Sequence, residues 1–145
     1  MKKITNYKLQ ITNRAVGFTI VELLVVMAII VLLGSLILVQ VSSSRARSRD
    51  AERESEIKTL QNALAIYAVN NRTYPIYSGP LSGADQASVA LVNDGALNQV
   101  PVDPFNSGNY QYAYDSADGS TYTLTYYLET NSISGKSAGV HTATP

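Results

Sequence analysis

The chain has 145 residues, with 11 basic and 11 acidic side chains and a formal net charge of zero at pH 7. That zero sums unlike parts: Lys2, Lys3, Lys8 and Arg14 stand before residue 18 with no acid beside them, and the rest carries seven basic and eleven acidic residues. The composition argues against a nucleic-acid surface, which needs a basic patch, and against thiol chemistry or disulfides, since there is no cysteine. The single histidine, His141, lies in a Ser/Thr/Gly-rich tail and no phosphate-cradling glycine loop is present, so nothing points to an enzyme.

The first element is the apolar run that starts Gly17-Phe18-Thr19-Ile20-Val21-Glu22-Leu23-Leu24-Val25. As a helix, Phe18 through Val39 spans roughly 33 Å, enough to cross a hydrocarbon core about 30 Å thick. It is too long for the apolar region of a secretory signal peptide. Glu22 therefore enters the bilayer, where a carboxylate is costly and marks a partner and a task. Were the chain cut after Gly17, Phe18 would bear an α-amino group with a pKa of about 7.7–8. Glu22 of a neighbouring copy would then neutralise it inside a packed bundle and fix the axial register between subunits.

These residues resemble the class III signal of type IV pilins and type II secretion pseudopilins. In that family a short basic leader ends in glycine, phenylalanine follows, and glutamate stands at the fifth position after the cut; Gly17, Phe18 and Glu22 match one by one. The resemblance implies cleavage after Gly17 by a prepilin peptidase and N-methylation of Phe18. It also implies passage from membrane lipid, through an inner-membrane assembly platform, into a helical filament of copies of the same chain. It places the leader in the cytoplasm and the head outside. Charge alone does not decide that orientation, because Arg45, Arg47, Arg49, Arg53 and Lys58 beyond the run balance the leader's four cations. The absence of cysteine departs from disulfide-closed pilins and fits pseudopilins, or pilins that do not rely on extracytoplasmic disulfides.

After Val41 no proline or glycine interrupts Ser42 through Glu56, so the helix continues out of the membrane as one element of about 50 residues. Gly34-Ser35 is its soft point, open to close helix packing or to local melting. Charges recur at helical spacing over residues 45–58, Arg49 with Arg53 and Glu54 with Lys58, and read as a solvated face or as polar contacts between subunits. Ile57, Leu60, Leu64 and Tyr67, with Ala63 and Ala68, form an apolar stripe that a sheet should cover. The helix should stop near Asn70-Asn71, ahead of Pro75.

Tyr77 through Ala84 reads as loop, and Asp85 as the cap of a short helix over 86–92 that Asn93-Asp94-Gly95 ends. Val100-Pro101-Val102-Asp103-Pro104 enforces an extended connection. Two strands follow, carrying Tyr110, Tyr112 and Tyr114 and then Tyr122, Leu124, Tyr126 and Leu128, joined by a turn at Asp118-Gly119. Period-two tyrosines of this kind pack one row on a helix, or offer a stacking platform to a ligand.

Residues 73–128 resemble the head of the G-type major pseudopilin, with Phe105 where that family commonly has tryptophan; residues 129–145 match no part of it. The resemblance implies calcium in a loop of the head. Asp103, Asp115 and Asp118 are candidate oxygen ligands, or, read from the residues, turn caps.

The expected fold is α+β and pilin-like, a long N-terminal helix packed on a small antiparallel sheet. Its parts are a leader over 1–17, an assembly half over 18–41, an amphipathic half over 42–72, and a head over 73–145 with a hairpin about 110–128. The expected function is a structural subunit of a pilus-like or secretion filament. The residues leave one alternative, a membrane-anchored ligand-binding module that does not polymerise.

Overall fold

The computed structural model describes residues 17–145, and of residues 36–39 the backbone only. The leader cations Lys2, Lys3, Lys8 and Arg14 lie outside the described residues. The chain divides into two compact units, Met1–Val39 and Gln40–Pro145.

Helix α1, Ile20–Asn71, runs through the expected range, beginning in the first unit and ending in the second. Its sequence contains no proline and one glycine, Gly34, so little competes with helix over 52 residues. In the first unit α1 is apolar and long enough to cross a membrane. There Phe18, Ile20, Val21, Leu23, Leu24 and the apolar side chains that follow to Leu33 are exposed. Ser35 turns its hydroxyl back onto the Leu32 carbonyl (2.8 Å), a bond that satisfies the hydroxyl within the helix. At the other end Arg72 takes the left-handed conformation (φ 60°) and donates its N–H to the Ala68 carbonyl, closing the helix where Asn70-Asn71 and the coming Pro75 predict.

The second unit adds β1 (Tyr77–Pro80), α2 (Gln86–Asn93), β2 (Ala113–Ser116), β3 (Thr123–Leu128) and β4 (Gly139–Ala143). The four strands form one antiparallel sheet in the order β1-β2-β3-β4. Asp85 caps α2 as expected, accepting the Ser88 N–H and hydroxyl at 2.9 and 2.6 Å. Ile57, Leu60, Ala63 and Leu64 of α1 are buried in one core with Ala87 and Leu91 of α2 and with Tyr114, Leu124, Tyr126 and Leu128 of the sheet. On β3 the alternation is complete: Leu124, Tyr126 and Leu128 point in, while Thr123, Thr125 and Tyr127 are half-buried.

Three expectations are corrected. Residues 77–80 form an edge strand rather than loop; proline and glycine are tolerated there because one side of an edge strand has no ladder to satisfy. The first strand of the hairpin begins at Ala113, and Tyr110 instead pairs with Ser107 in an isolated bridge, since Pro104 and a turn at Gly108 delay regular pairing. The unplaced tail supplies β4, whose residues pair with all of Leu124 to Leu128 and form the second edge.

Candidate functional site

Two places in the chain carry polar groups in unusual surroundings, and the first is the start of α1. Gly17, Phe18 and Thr19 precede the helix in irregular, exposed backbone, so the peptide bond between Gly17 and Phe18 stands clear of regular structure. A Cβ added at Gly17 would meet nothing within 4 Å, so the fold itself does not demand glycine there. Thr19 and Glu22 form a capping box. The Thr19 hydroxyl accepts the Glu22 N–H at 3.2 Å, and Glu22 Oε2 accepts the Thr19 N–H at 3.0 Å and its hydroxyl at 3.1 Å. The Thr-x-x-Glu spacing carries this signal in the sequence. The box satisfies the carboxylate within one chain, and every group it uses lies C-terminal to Gly17.

The second place is a network of ions in the head. Arg53 on α1 is fully buried, as are Asp50 and Asp103. Its Nε and Nη2 donate to the two carboxylate oxygens of Asp103 (2.6 and 3.3 Å), and its Nη1 donates to Asp50 (3.0 Å) and Glu129 (2.6 Å). Arg49 grips both oxygens of Glu129 at 2.7 and 2.6 Å. Asp50 also accepts the N–H groups of Glu129 and Thr130 and the Thr130 hydroxyl. Aromatic rings flank the cations: the Arg49 guanidinium lies 4.5 Å from the Phe105 ring centre and that of Arg53 4.9 Å from Tyr110. Burial alone would lower the Arg53 pKa, yet Asp103, Glu129 and Asp50 outweigh it and raise it. Hydrogen bonds from Arg49 and then Arg53 hold the Glu129 carboxyl below the usual range.

Of the charge run expected to be a solvated face or to make contacts between subunits, Arg45, Arg47, Glu52 and Lys58 are exposed, while Arg49, Asp50, Arg53 and Glu54 turn inward to partners in the same head. The spacing sets Arg49 beside Arg53, two like charges, and offers Glu54 to Lys58, whereas the fold sends Arg49 and Arg53 to Glu129 and Glu54 to Lys136. A solvated charge and a buried one are identical in sequence; apart from Asp50, three residues from Arg53, the partners lie 50 to 82 residues away and reveal themselves only in three dimensions. Lys136 donates to both oxygens of Glu54 and to the Tyr126 hydroxyl, fastening the tail to α1. Burial opposes the charge of Lys136, but Glu54 and Tyr126 outweigh it and raise its pKa.

The three calcium candidates are not brought together for that ion. Asp103 uses both oxygens on Arg53 and accepts the Phe105 N–H. Asp118 caps its own turn through the Ser120 N–H and hydroxyl, and Asp115 is an exposed residue of β2 paired in register with Thr123. Among the described residues no group of three or more His, Asp or Glu side chains is arranged to hold a metal ion. His141 bonds the Ser137 carbonyl through Nε2. Of the six tyrosines between Tyr110 and Tyr127, Tyr112, Tyr114, Tyr122 and Tyr126 are buried, the packing row that period two predicts.

A family model described as type II secretion system (T2SS), protein G matches residues 40–140. Type II secretion system core protein G of Pseudomonas aeruginosa is 30% identical over 116 residues, covering 71% of this chain and 76% of that protein. The core protein G of Escherichia coli (strain K12) is 27% identical over 119 residues, covering 78% and 81%, and that of Vibrio cholerae is 26% identical over 125 residues, covering 78% and 80%. No solved structure matches the chain. The family match spans the second half of α1, the four-stranded sheet and the tail as far as β4, and with the G-type head expected over residues 73–128 it shows that the chain belongs to the type II secretion system protein G family, as a G-type pseudopilin.

Proposed function

We propose that the chain is made as a precursor, cut after Gly17 by a prepilin peptidase, N-methylated at Phe18, and drawn by an inner-membrane assembly platform from the lipid into a secretion pseudopilus of its own copies. The observation that carries this reading is the run of exposed apolar side chains from Phe18 to Leu33 with one carboxylate, Glu22, in its first turn. Exposed surface of that extent needs lipid around it or other helices against it. Exchange of lipid contacts for helix packing drives assembly, and the carboxylate sets which copies align.

Gly17 and Phe18 are then substrate positions, and Glu22 is the register residue that the Thr19 box holds satisfied until a neighbour's terminal amine takes its place. The leader faces the cytoplasm and the head lies outside. The chain's role is structural rather than catalytic. The alternative of an anchored ligand-binding module needs an exposed tyrosine platform, and the tyrosines of the hairpin are largely spent on packing.

The test separates processing from assembly. Glu22→Ala and Glu22→Gln are expected to be cut and methylated at wild-type levels, read by intact mass, and to yield at most one tenth of the sheared filament. Glu22→Gln removes the charge and keeps a side chain able to accept the Thr19 N–H. Normal filament from Glu22→Gln would therefore remove the amine–carboxylate pair from the account. A bulky residue at Gly17 is expected to leave an uncut precursor with a normally folded head.

A further inference from the structure

Of the three carboxylates expected as calcium ligands, Asp103 already has a cation, Arg53, which it shares with Asp50 and Glu129. Asp50 comes from α1, Asp103 from the connection between α2 and β2, and Glu129 from the end of β3, and all three converge on the Arg53 guanidinium at 2.6 to 3.0 Å. Four donations to these three acids are in place, from Nε, Nη1 and Nη2. The spare acceptor capacity of Asp50 and Asp103 is taken by backbone N–H groups of Glu129, Thr130 and Phe105. Calcium needs six to eight oxygens at about 2.3–2.6 Å around an empty centre, and here the centre is filled by the side chain.

We propose that Arg53 is the resident cation of this head. Its guanidinium neutralises three acids and ties together three chain segments, so the head folds and holds its tail without calcium. Fixed fork geometry suits the task, since one planar group reaches acids from three directions. Lys136 does the same on a smaller scale for Glu54 and Tyr126, which fastens the segment between β3 and β4. The inference does not depend on filament assembly, because it concerns the fold of the head alone.

The test uses the full chain in detergent micelles, melted in excess EGTA and again in about 1 mM calcium chloride. The expected result is the same midpoint in both, within about 1 °C. A calcium site with a dissociation constant near 10 µM would raise the midpoint by about 10 °C or more at that concentration, and such a rise would overturn the proposal. Arg53→Met leaves buried acids without their cation and is expected to lower the midpoint by about 10 °C or more; an unchanged midpoint would also overturn it. Should Arg53→Met yield no folded protein, Arg53→Lys replaces it. That variant is expected to melt below the wild type in both buffers, and a midpoint equal to the wild type, or one raised by calcium, counts against the assignment.

Discussion

Gly119 turns the chain between β2 and β3 at φ +76°, and its carbonyl accepts the Tyr74 N–H at 2.8 Å and the Thr73 hydroxyl at 3.1 Å. A Cβ built there would lie 2.1 Å from Thr73 Oγ1 and 2.9 Å from the Tyr74 carbonyl oxygen, so strain and collision coincide. Gly119→Ala is expected to destabilise the head by about 2–3 kcal/mol in urea or thermal melts. Gly83, at φ +81° with nothing near its Cβ position, is the control, and Gly83→Ala should cost about 1 kcal/mol. Equal losses at the two sites would show that close approach to Thr73 and Tyr74 is not what Gly119 provides. The turn itself was legible as Asp118-Gly119. Its docking against the end of α1 was not, because the partners are 46 residues away.

At the scale of elements, legibility followed periodicity. The apolar stripe of α1, the Asp85 cap of α2 and the buried row of β3 each repeat within a few residues, and each formed where the spacing places it. β1 and β4 escaped because both are edges, where Tyr-Ser-Gly-Pro and Gly-Val-His-Thr-Ala satisfy pairing without the strong alternation that burial on a face imposes. Apart from the i,i+3 pair of Asp50 and Arg53, the charges of α1 escaped because pairing partners far apart in sequence leave no local mark. That same ion network gives the head a definite acid response. Glu129, held by Arg49 and Arg53, has a lowered pKa. So does Glu54, where the Lys136 ammonium and Tyr126 hydroxyl outweigh a burial that acts to raise it. A lowered carboxyl pKa stabilises the fold above the unfolded value of about 4.5, and that contribution is lost as pH falls through the folded value. Glu56 acts in the opposite sense, since burial raises its pKa. Asp85, against its burial, and Asp118 are also lowered, by hydrogen bonds from Ser88 and Ser120, so the lowered carboxyls of the head outnumber the raised one and melting midpoints are expected to fall steadily below about pH 4.5. Glu129→Gln should lower stability at pH 7 and flatten that fall; an unchanged acid profile would show that Glu129 is not a source of it.

At the scale of the whole chain, two units divide the labour. One, Met1–Val39, carries an apolar helix whose described side chains are exposed; the other, Gln40–Pro145, packs its own core and neutralises its own buried charges. If the proposed cut after Gly17 is made, the four cations ahead of it leave with the leader and the remainder, with seven basic and eleven acidic residues, is net acidic. The proposed function turns on one covalent event, the cut at the junction of Gly17 and Phe18. The most direct measurement is the intact mass of the protein recovered from cells that assemble the filament. The account predicts residues 18–145 beginning at phenylalanine and one methyl group heavier than the bare sequence. A mass that retains the residues before Phe18, or a cut at any other bond, would contradict it.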